Sequence, residues 1–244
     1  MNIAANPISP DLAHMLTSGV VAVVRMNEAV SLRRAAEAVV AGGVGSFEVT
    51  LTTPGAIDAV RDLASATIPG CLVGAGTVLD AASANQAIDA GARFIVSPTL
   101  EPDVIACCIE RKIVCIPGAM SPTEILQAWR MGASMIKVYP AVSVGTDFFT
   151  NILGPLPFLR LIPSGGMTLA NGADWIRAGA AAVSMAAALL DPALVKRGAW
   201  DELTARARRI ADAVAGARRE MASDLARMTD NLDHAPDAGA THAG

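Results

Sequence analysis

Two ionisable residues stand where such residues are scarce. Lys137 lies in Ser134-Met135-Ile136-Lys137-Val138-Tyr139-Pro140, a run that reads as a short strand, apolar on both faces and ended by proline. Glu48 lies in a second such run, Ser46-Phe47-Glu48-Val49-Thr50. An ammonium is costly to desolvate, so a lysine inside an apolar strand needs a reason. Of 19 basic residues only three are lysines, Lys112, Lys137 and Lys196; where a surface cation suffices, this chain uses arginine. Arginine does not shed its proton to become a nucleophilic amine, whereas a buried lysine can. Taken alone, Lys137 is slightly better explained by a buried stem whose head reaches water or a carboxylate. Its context decides. Side chains alternate across a strand, so Ser46, Glu48 and Thr50 share one face, as do Met135, Lys137 and Tyr139. A buried amine and a buried carboxylate that converge are a common active-site arrangement, while a purely structural buried pair would be expensive.

The residues that are missing narrow the chemistry further. The histidines are His14, His234 and His242, so none lies between residues 15 and 233. That removes Ser-His triads, zinc sites and imidazole acid/base work from the body of the chain, and no metal or other cofactor is expected. Cys71, Cys107, Cys108 and Cys115 form no C-x-x-C and read as reduced core thiols of a cytoplasmic protein. A net charge of −4, with arginines scattered along helices, offers no basic patch for nucleic acid. The longest weakly polar run, Gly179 to Leu190, is far short of the roughly 20 residues of a membrane span. Residues 1–18 lack the basic start and apolar block of a secretory signal.

Short β-rich runs alternate with Ala-rich helical ones. Strands are expected at Gly19–Val24, Ser46–Thr50, Cys71–Gly74, Arg93–Ser97, Ile113–Ile116, Ser134–Tyr139, Leu159–Pro163 and Ala181–Met185. Helices are expected between them, from Glu28–Ala41 onward, with a long amphipathic one over Trp200–Met228. Four helices stop at a glycine just before a strand, at Gly42-Gly43, Gly91, Gly132 and Gly179, a faint internal repeat. Eight alternating units with short connections imply a parallel sheet closed into a (β/α)8 TIM barrel. No G-x-G-x-x-G follows the first strand, which disfavours an open doubly wound sheet. The expectation is a single domain over 1–228, including the N-terminal extension and the last helix, with 229–244 as an unstructured tail.

In such barrels chemistry collects at the carboxyl ends of the strands. Gly74-Ala75-Gly76-Thr77 and Ser164-Gly165-Gly166 read there as glycine turns, each exposing N–H groups and one hydroxyl. With Arg25 at the end of the first strand, they suggest a ligand carrying an anion at each end.

The ordered motifs Phe47-Glu48-Val49-Thr50-Leu51, Val73 to Leu79, Val96-Ser97-Pro98, Ile116-Pro117-Gly118, Ile136 to Pro140 and Pro163 to Gly166 resemble those of the class I 2-keto-3-deoxy-6-phosphogluconate / 4-hydroxy-2-oxoglutarate aldolases, over about residues 15–219. The resemblance implies that Lys137 forms a Schiff base with the keto carbon of pyruvate and that Glu48 moves protons at the carbinolamine and enamine. It implies that Thr77 and Arg25 lie near the pyruvate carboxylate, that Pro98 walls the pocket, and that Ser164, Gly165 and Gly166 form half of a phosphate site. It further implies a metal-free homotrimer acting on a small keto acid, in sugar breakdown of the Entner-Doudoroff kind. The chemistry of the residues agrees: cleaving the carbon–carbon bond of a β-hydroxy ketone needs an electron sink, and a protonated imine is one.

Two positions depart from the motif. Thr52 stands where gluconate-type members often carry arginine, and Ser184-Met185-Ala186-Ala187-Ala188 replaces a Gly-Gly/Gly-Ser turn. Alanine at 187 removes a hydroxyl and alanine at 186 crowds the backbone, so weaker phosphate binding or an unphosphorylated substrate is expected. The competing readings are a sugar-phosphate isomerase or epimerase, which the histidine-free body disfavours, and a non-catalytic keto-acid binder or oligomeric scaffold, which the pairing of Lys137 with Glu48 disfavours.

Overall fold

The computed structural model describes residues 6–25 and 30–233. A helix that the sequence reading did not assign comes first, α1 (Pro10–Ser18). Its signals are local: the Ser9 hydroxyl accepts from the Leu12 N–H, Pro10 fills the first position, and Gly19 ends the helix in the left-handed region at φ 66°. Then come β1 (Val20–Val24), α2 (Val30–Ala41), β2 (Ser46–Thr50), α3 (Ala56–Ser65), β3 (Leu72–Gly76), α4 (Ala81–Asp89), β4 (Phe94–Val96), α5 (Pro102–Glu110), β5 (Val114–Ile116), β6 (Gly118–Ala119) and α6 (Pro122–Arg130). The chain continues through β7 (Ile136–Val138), a 3-10 turn at Ala141–Ser143, α7 (Gly145–Leu153), β8 (Leu161–Pro163), α8 (Gly172–Arg177), β9 (Val183–Met185), α9 (Pro192–Lys196) and α10 (Trp200–Asp233). Residues 28 and 29 of the expected first helix lie outside the described residues. The last helix runs on to Asp233, and 234–244, the remainder of the expected tail, lies outside them as well.

All strand pairings are parallel. Six strands form one sheet in the order β5-β4-β3-β2-β1-β9, and three form another in the order β6-β7-β8. The nine strands among the described residues exceed the expected eight because Pro117 divides the fifth. Val114–Ile116 pairs with β4, and Gly118–Ala119 pairs with β7. Proline has no N–H to give to a ladder, but its carbonyl still accepts from the Lys137 N–H at 2.8 Å. On the other side, β8 and β9 touch through a single bridge, Ser164 with Ser184.

Two apolar layers follow from strands buried on both faces. Phe47, Val49, Val73, Ile95, Ile136, Leu161 and Val183 pack outward against the helices. Val21, Val23, Leu72, Phe94, Val96, Ile116, Met135 and Ile162 form an inner cluster to which both sheets contribute. Leu12 and Met15 of α1 belong to that inner cluster, so α1 covers its lower end.

The last helix is held against α2 at close range. Thr204 donates to the Ala38 carbonyl at 2.9 Å, and Arg208 donates to the Ala41 carbonyl at 3.3 Å, at the end of α2 where helix carbonyls lack an intrahelical donor. A Cβ at Gly42 would stand 2.4 Å from the Ala207 Cβ and 2.5 Å from the Thr204 carbonyl oxygen. Gly42→Ala is therefore expected to lower stability by about 1–3 kcal/mol, measured as a shifted denaturation midpoint. A stability equal to that of the parent would show that α10 is free to move away.

Candidate active site

Alternation along β2 and β7 sends Glu48 and Lys137 to the inner side, because their neighbours Phe47, Val49, Ile136 and Val138 pack in the outer layer. Both are buried, Glu48 at 1% and Lys137 at 5% exposure. Among the described residues no hydrogen bond or ion pair reaches the Lys137 Nζ, which stands 5.2 Å from the centre of the Tyr139 ring. Lys137 is therefore not half of a hydrogen-bonded structural pair among the described residues.

Burial pushes the Glu48 carboxyl above its ordinary range, against the opposing charges of Lys137 and Arg25. Its Oε1 has no hydrogen-bond partner, and neither do the buried hydroxyls of Ser46 and Ser184. Gly76 explains how the carboxylate fits: a Cβ there would lie 1.9 Å from Oε1. The glycine turn expected at residues 74–77 is therefore a misreading. Gly74-Ala75-Gly76 belongs to β3, where Gly74 faces the Phe94 ring and Gly76 faces Glu48. Only Thr77 leaves the strand, in a left-handed conformation at φ 59°.

A cavity of about 290 Å³ opens on the Lys137 side. Val23, Arg25, Tyr139, Ser164, Gly165, Gly166, Met167, Ser184 and Ala186 to Ala188 complete its wall. It has two cationic side chains and no carboxylate, which suits an anionic ligand. Gly165 and Gly166 both sit at positive φ, 85° and 84°, and neither N–H is used in a backbone hydrogen bond among the described residues. Of the residues singled out in the sequence, Lys137, Arg25, Ser164, Gly165 and Gly166 meet on this cavity. Glu48 faces Gly76 beside it, whereas Thr77 and Pro98, both half-buried, stand at the ends of β3 and β4 and do not line it. Thr52 is exposed and bonded to Thr50 at 3.0 Å. Ser184 went unnoticed as a site residue; its signal was a lone hydroxyl in an otherwise apolar strand.

A larger hollow, about 620 Å³, lies at the other end of the strands between His14, Gly42, Gly45 and Arg208. It is remote from Lys137 and Glu48 along the strands, and size alone does not make it a reaction site. Among the described residues no group of three or more His, Cys, Asp or Glu is placed to hold a metal ion, and no helix is long and apolar enough to cross a membrane.

Residues 12–206 match the family model for KDPG and KHG aldolase. The chain is 34% identical over 185 residues to 2-dehydro-3-deoxy-phosphogluconate aldolase of Pseudomonas aeruginosa, covering 75% of this chain and 84% of that protein. It is 34% identical over 209 residues to KHG/KDPG aldolase of Escherichia coli K12, covering 84% and 95%. A crystal structure of KDPG aldolase from Legionella pneumophila, with pyruvate captured at low pH as a covalent carbinolamine intermediate, superposes with a TM-score of 0.76 at 30% identity, covering 81% and 96%.

The raised carboxyl makes a prediction about stability. Folded Glu48 holds its proton more tightly than unfolded Glu48 does, so the folded state loses ground as pH rises through the window above the unfolded value. Glu48→Gln removes that loss. Its denaturation midpoint should match the parent near pH 4 and exceed it increasingly toward the raised folded value, about pH 4 being where an unfolded glutamate titrates. A difference independent of pH would contradict the assignment.

Proposed function

This chain belongs to the KDPG and KHG aldolase family and is a pyruvate-dependent lyase acting through a Schiff base; we propose that Lys137 is its imine-forming amine and Glu48 its proton shuttle. The observation that carries this is the buried Lys137 Nζ, unpartnered among the described residues and opening on a cavity beside a carboxyl whose burial favours its protonated form.

The chemistry runs as follows. The Lys137 amine adds to the keto carbon of a 2-keto-3-deoxy sugar acid or 4-hydroxy-2-oxo acid, giving a carbinolamine. Loss of water leaves a protonated imine. The C4 hydroxyl gives up its proton as the C3–C4 bond breaks, and the electron pair of that bond passes into the imine to form an enamine. The aldehyde departs, C3 is protonated, and hydrolysis of the imine frees pyruvate and the amine. Glu48 suits both directions of proton traffic because burial lets its carboxyl hold a proton more readily than an exposed glutamate does, while Lys137 and Arg25 oppose that shift; a positioned acid/base of this kind is typically worth roughly 10²–10⁴-fold in rate. The imine is its own electron sink, so the steps need no metal.

Arg25 and Thr77 are the proposed partners of the substrate's carboxylate, Pro98 a wall, and Ser164 with the Gly165 and Gly166 N–H groups half of an anion site. The wall facing that half-site is Ala186 to Ala188, without a side-chain donor, which favours a substrate whose far end needs no phosphate. We also infer that the two sheets are parts of one closed (β/α)8 barrel, in a single domain. Its supports are the continuity of β5 and β6 through Pro117, the Ser164–Ser184 bridge, and the 2.8 Å bond from the Ala181 N–H to the Leu161 carbonyl. A cytoplasmic homotrimer is proposed with it. Leu79 and Val142, exposed at 51% and 65% beside the strand ends, offer apolar surface for self-association.

Reduction with sodium borohydride in the presence of pyruvate should leave a pyruvyl adduct on Lys137, found by peptide mass spectrometry. Lys137→Arg should take no label and lose turnover by several orders of magnitude. An unlabelled parent protein would end the aldolase reading. For the far end, kcat/KM for a phosphorylated substrate and its dephospho analogue should differ by less than about a thousandfold; a larger ratio would show that the Gly165 and Gly166 N–H groups suffice for phosphate.

A further inference from the structure

Ser184 has no task in the mechanism above, yet the fold places it on the reaction cavity. Its neighbours Val183 and Met185 pack in the outer layer, so its side chain turns inward. It is 5% exposed, and its Oγ is buried without a hydrogen-bond partner. A buried hydroxyl left unmatched is unfavourable, and sites that persist with one commonly complete the bond with a ligand. Ser184 lines the same cavity as Lys137, Arg25 and Ser164. It bridges to Ser164, just past the end of β8, on one side and is paired with Val21 on β1 on the other. Beyond it on the same wall, Ala186, Ala187 and Ala188 supply no side-chain polar atom. Ser184 is therefore the side-chain hydroxyl that β9 presents to the cavity lined by Lys137.

Resting on the Schiff-base reading, we propose that Ser184 is a specificity-determining residue that hydrogen-bonds the hydroxyl on the carbon next to the aldehyde being formed, so that the enzyme favours 2-hydroxyaldehydes as the departing half. The imine fixes the keto carbon at Nζ. The remainder of the substrate has to occupy the cavity, because Glu48 and Gly76 close the opposite side. A hydroxyl there satisfies Ser184, whereas an aldehyde without one leaves the serine buried and unmatched, which is the arrangement that gives a site discrimination against the smaller analogue.

The test compares aldol addition of pyruvate to glyceraldehyde and to propionaldehyde, in the parent and in Ser184→Ala. The parent should prefer glyceraldehyde in kcat/KM, and Ser184→Ala should reduce that preference by about 5- to 50-fold while leaving the propionaldehyde value unchanged. The variant should melt no lower than the parent, since it loses only an unmatched hydroxyl. An unchanged preference, or an equal fall with both aldehydes, overturns the proposal. Borohydride trapping of pyruvate separates this from the parent reading. A trapped adduct with an unchanged preference removes only the role of Ser184, whereas no adduct in the parent protein removes the aldolase reading itself.

Discussion

The burial of the Glu48 carboxyl among the inner side chains is the constraint from which the rest of the site follows. A carboxylate in an apolar interior is penalised unless it is protonated, paired or hydrogen-bonded. Here one oxygen has no hydrogen-bond partner, and desolvation outweighs the pull of Lys137 and Arg25. The carboxyl therefore holds its proton more firmly than an exposed glutamate. That is a cost to the folded chain and an asset to a reaction whose steps alternately give and take protons. A tighter pair, with Lys137 bonded directly to Glu48, would satisfy the carboxyl but would hold the Lys137 Nζ against Glu48 instead of leaving it without a hydrogen bond on the cavity wall.

Accommodating that carboxyl shapes β3. Strands disfavour glycine, which offers no side chain to pack and loses more backbone freedom than other residues. Yet β3 carries Gly74 and Gly76 on its inner face, opposite the Phe94 ring and the Glu48 carboxyl respectively. The two glycines leave space that two larger neighbours fill. Register locks the arrangement, since Glu48 is paired directly with Gly74 and Thr50 with Gly76. A slip by one residue would bring Val73 and Ala75 to the inner face and leave no room for the carboxyl.

Local pattern made much of this legible. Lys137 and Glu48 announced themselves because an ionisable residue within an apolar strand breaks the surrounding rule, and alternation then assigned both to one interior. The glycines of residues 74–77 were misread for a physical reason: glycine marks turns and close backbone approaches alike, and only the placement of Glu48 and Phe94 separates the two. The division of the fifth strand at Pro117 depends on which sheet each half joins, which is long-range information. By contrast α1 was readable, since Ser9, Pro10 and Gly19 are ordinary start and stop signals. Its role, covering the lower end of the inner cluster with Leu12 and Met15, was not readable. Ser184 carried only a weak signal in sequence, a lone hydroxyl in an apolar strand, and its weight comes from the structure, where the hydroxyl is buried, unmatched and on the cavity that Lys137 lines.

The cavity divides the labour between its two sides. On the β2–β3 side the Glu48 carboxyl is pressed against the Gly76 backbone, which leaves little space and fixes its place. On the β8–β9–β1 side the wall is mostly glycine and alanine with two serines, Val23 and Met167, and Arg25 is its charged group apart from Lys137 itself. On the roles proposed for Lys137 and Glu48, the first side handles steps common to any 2-keto acid: imine formation, bond cleavage and return of the proton to C3. The second side meets whatever the substrate carries beyond C4. Ala186 to Ala188 lie on the wall away from the Glu48–Gly76 contact, so on the proposed reading a change there would bear on the departing aldehyde while leaving the surroundings of Glu48 as they are.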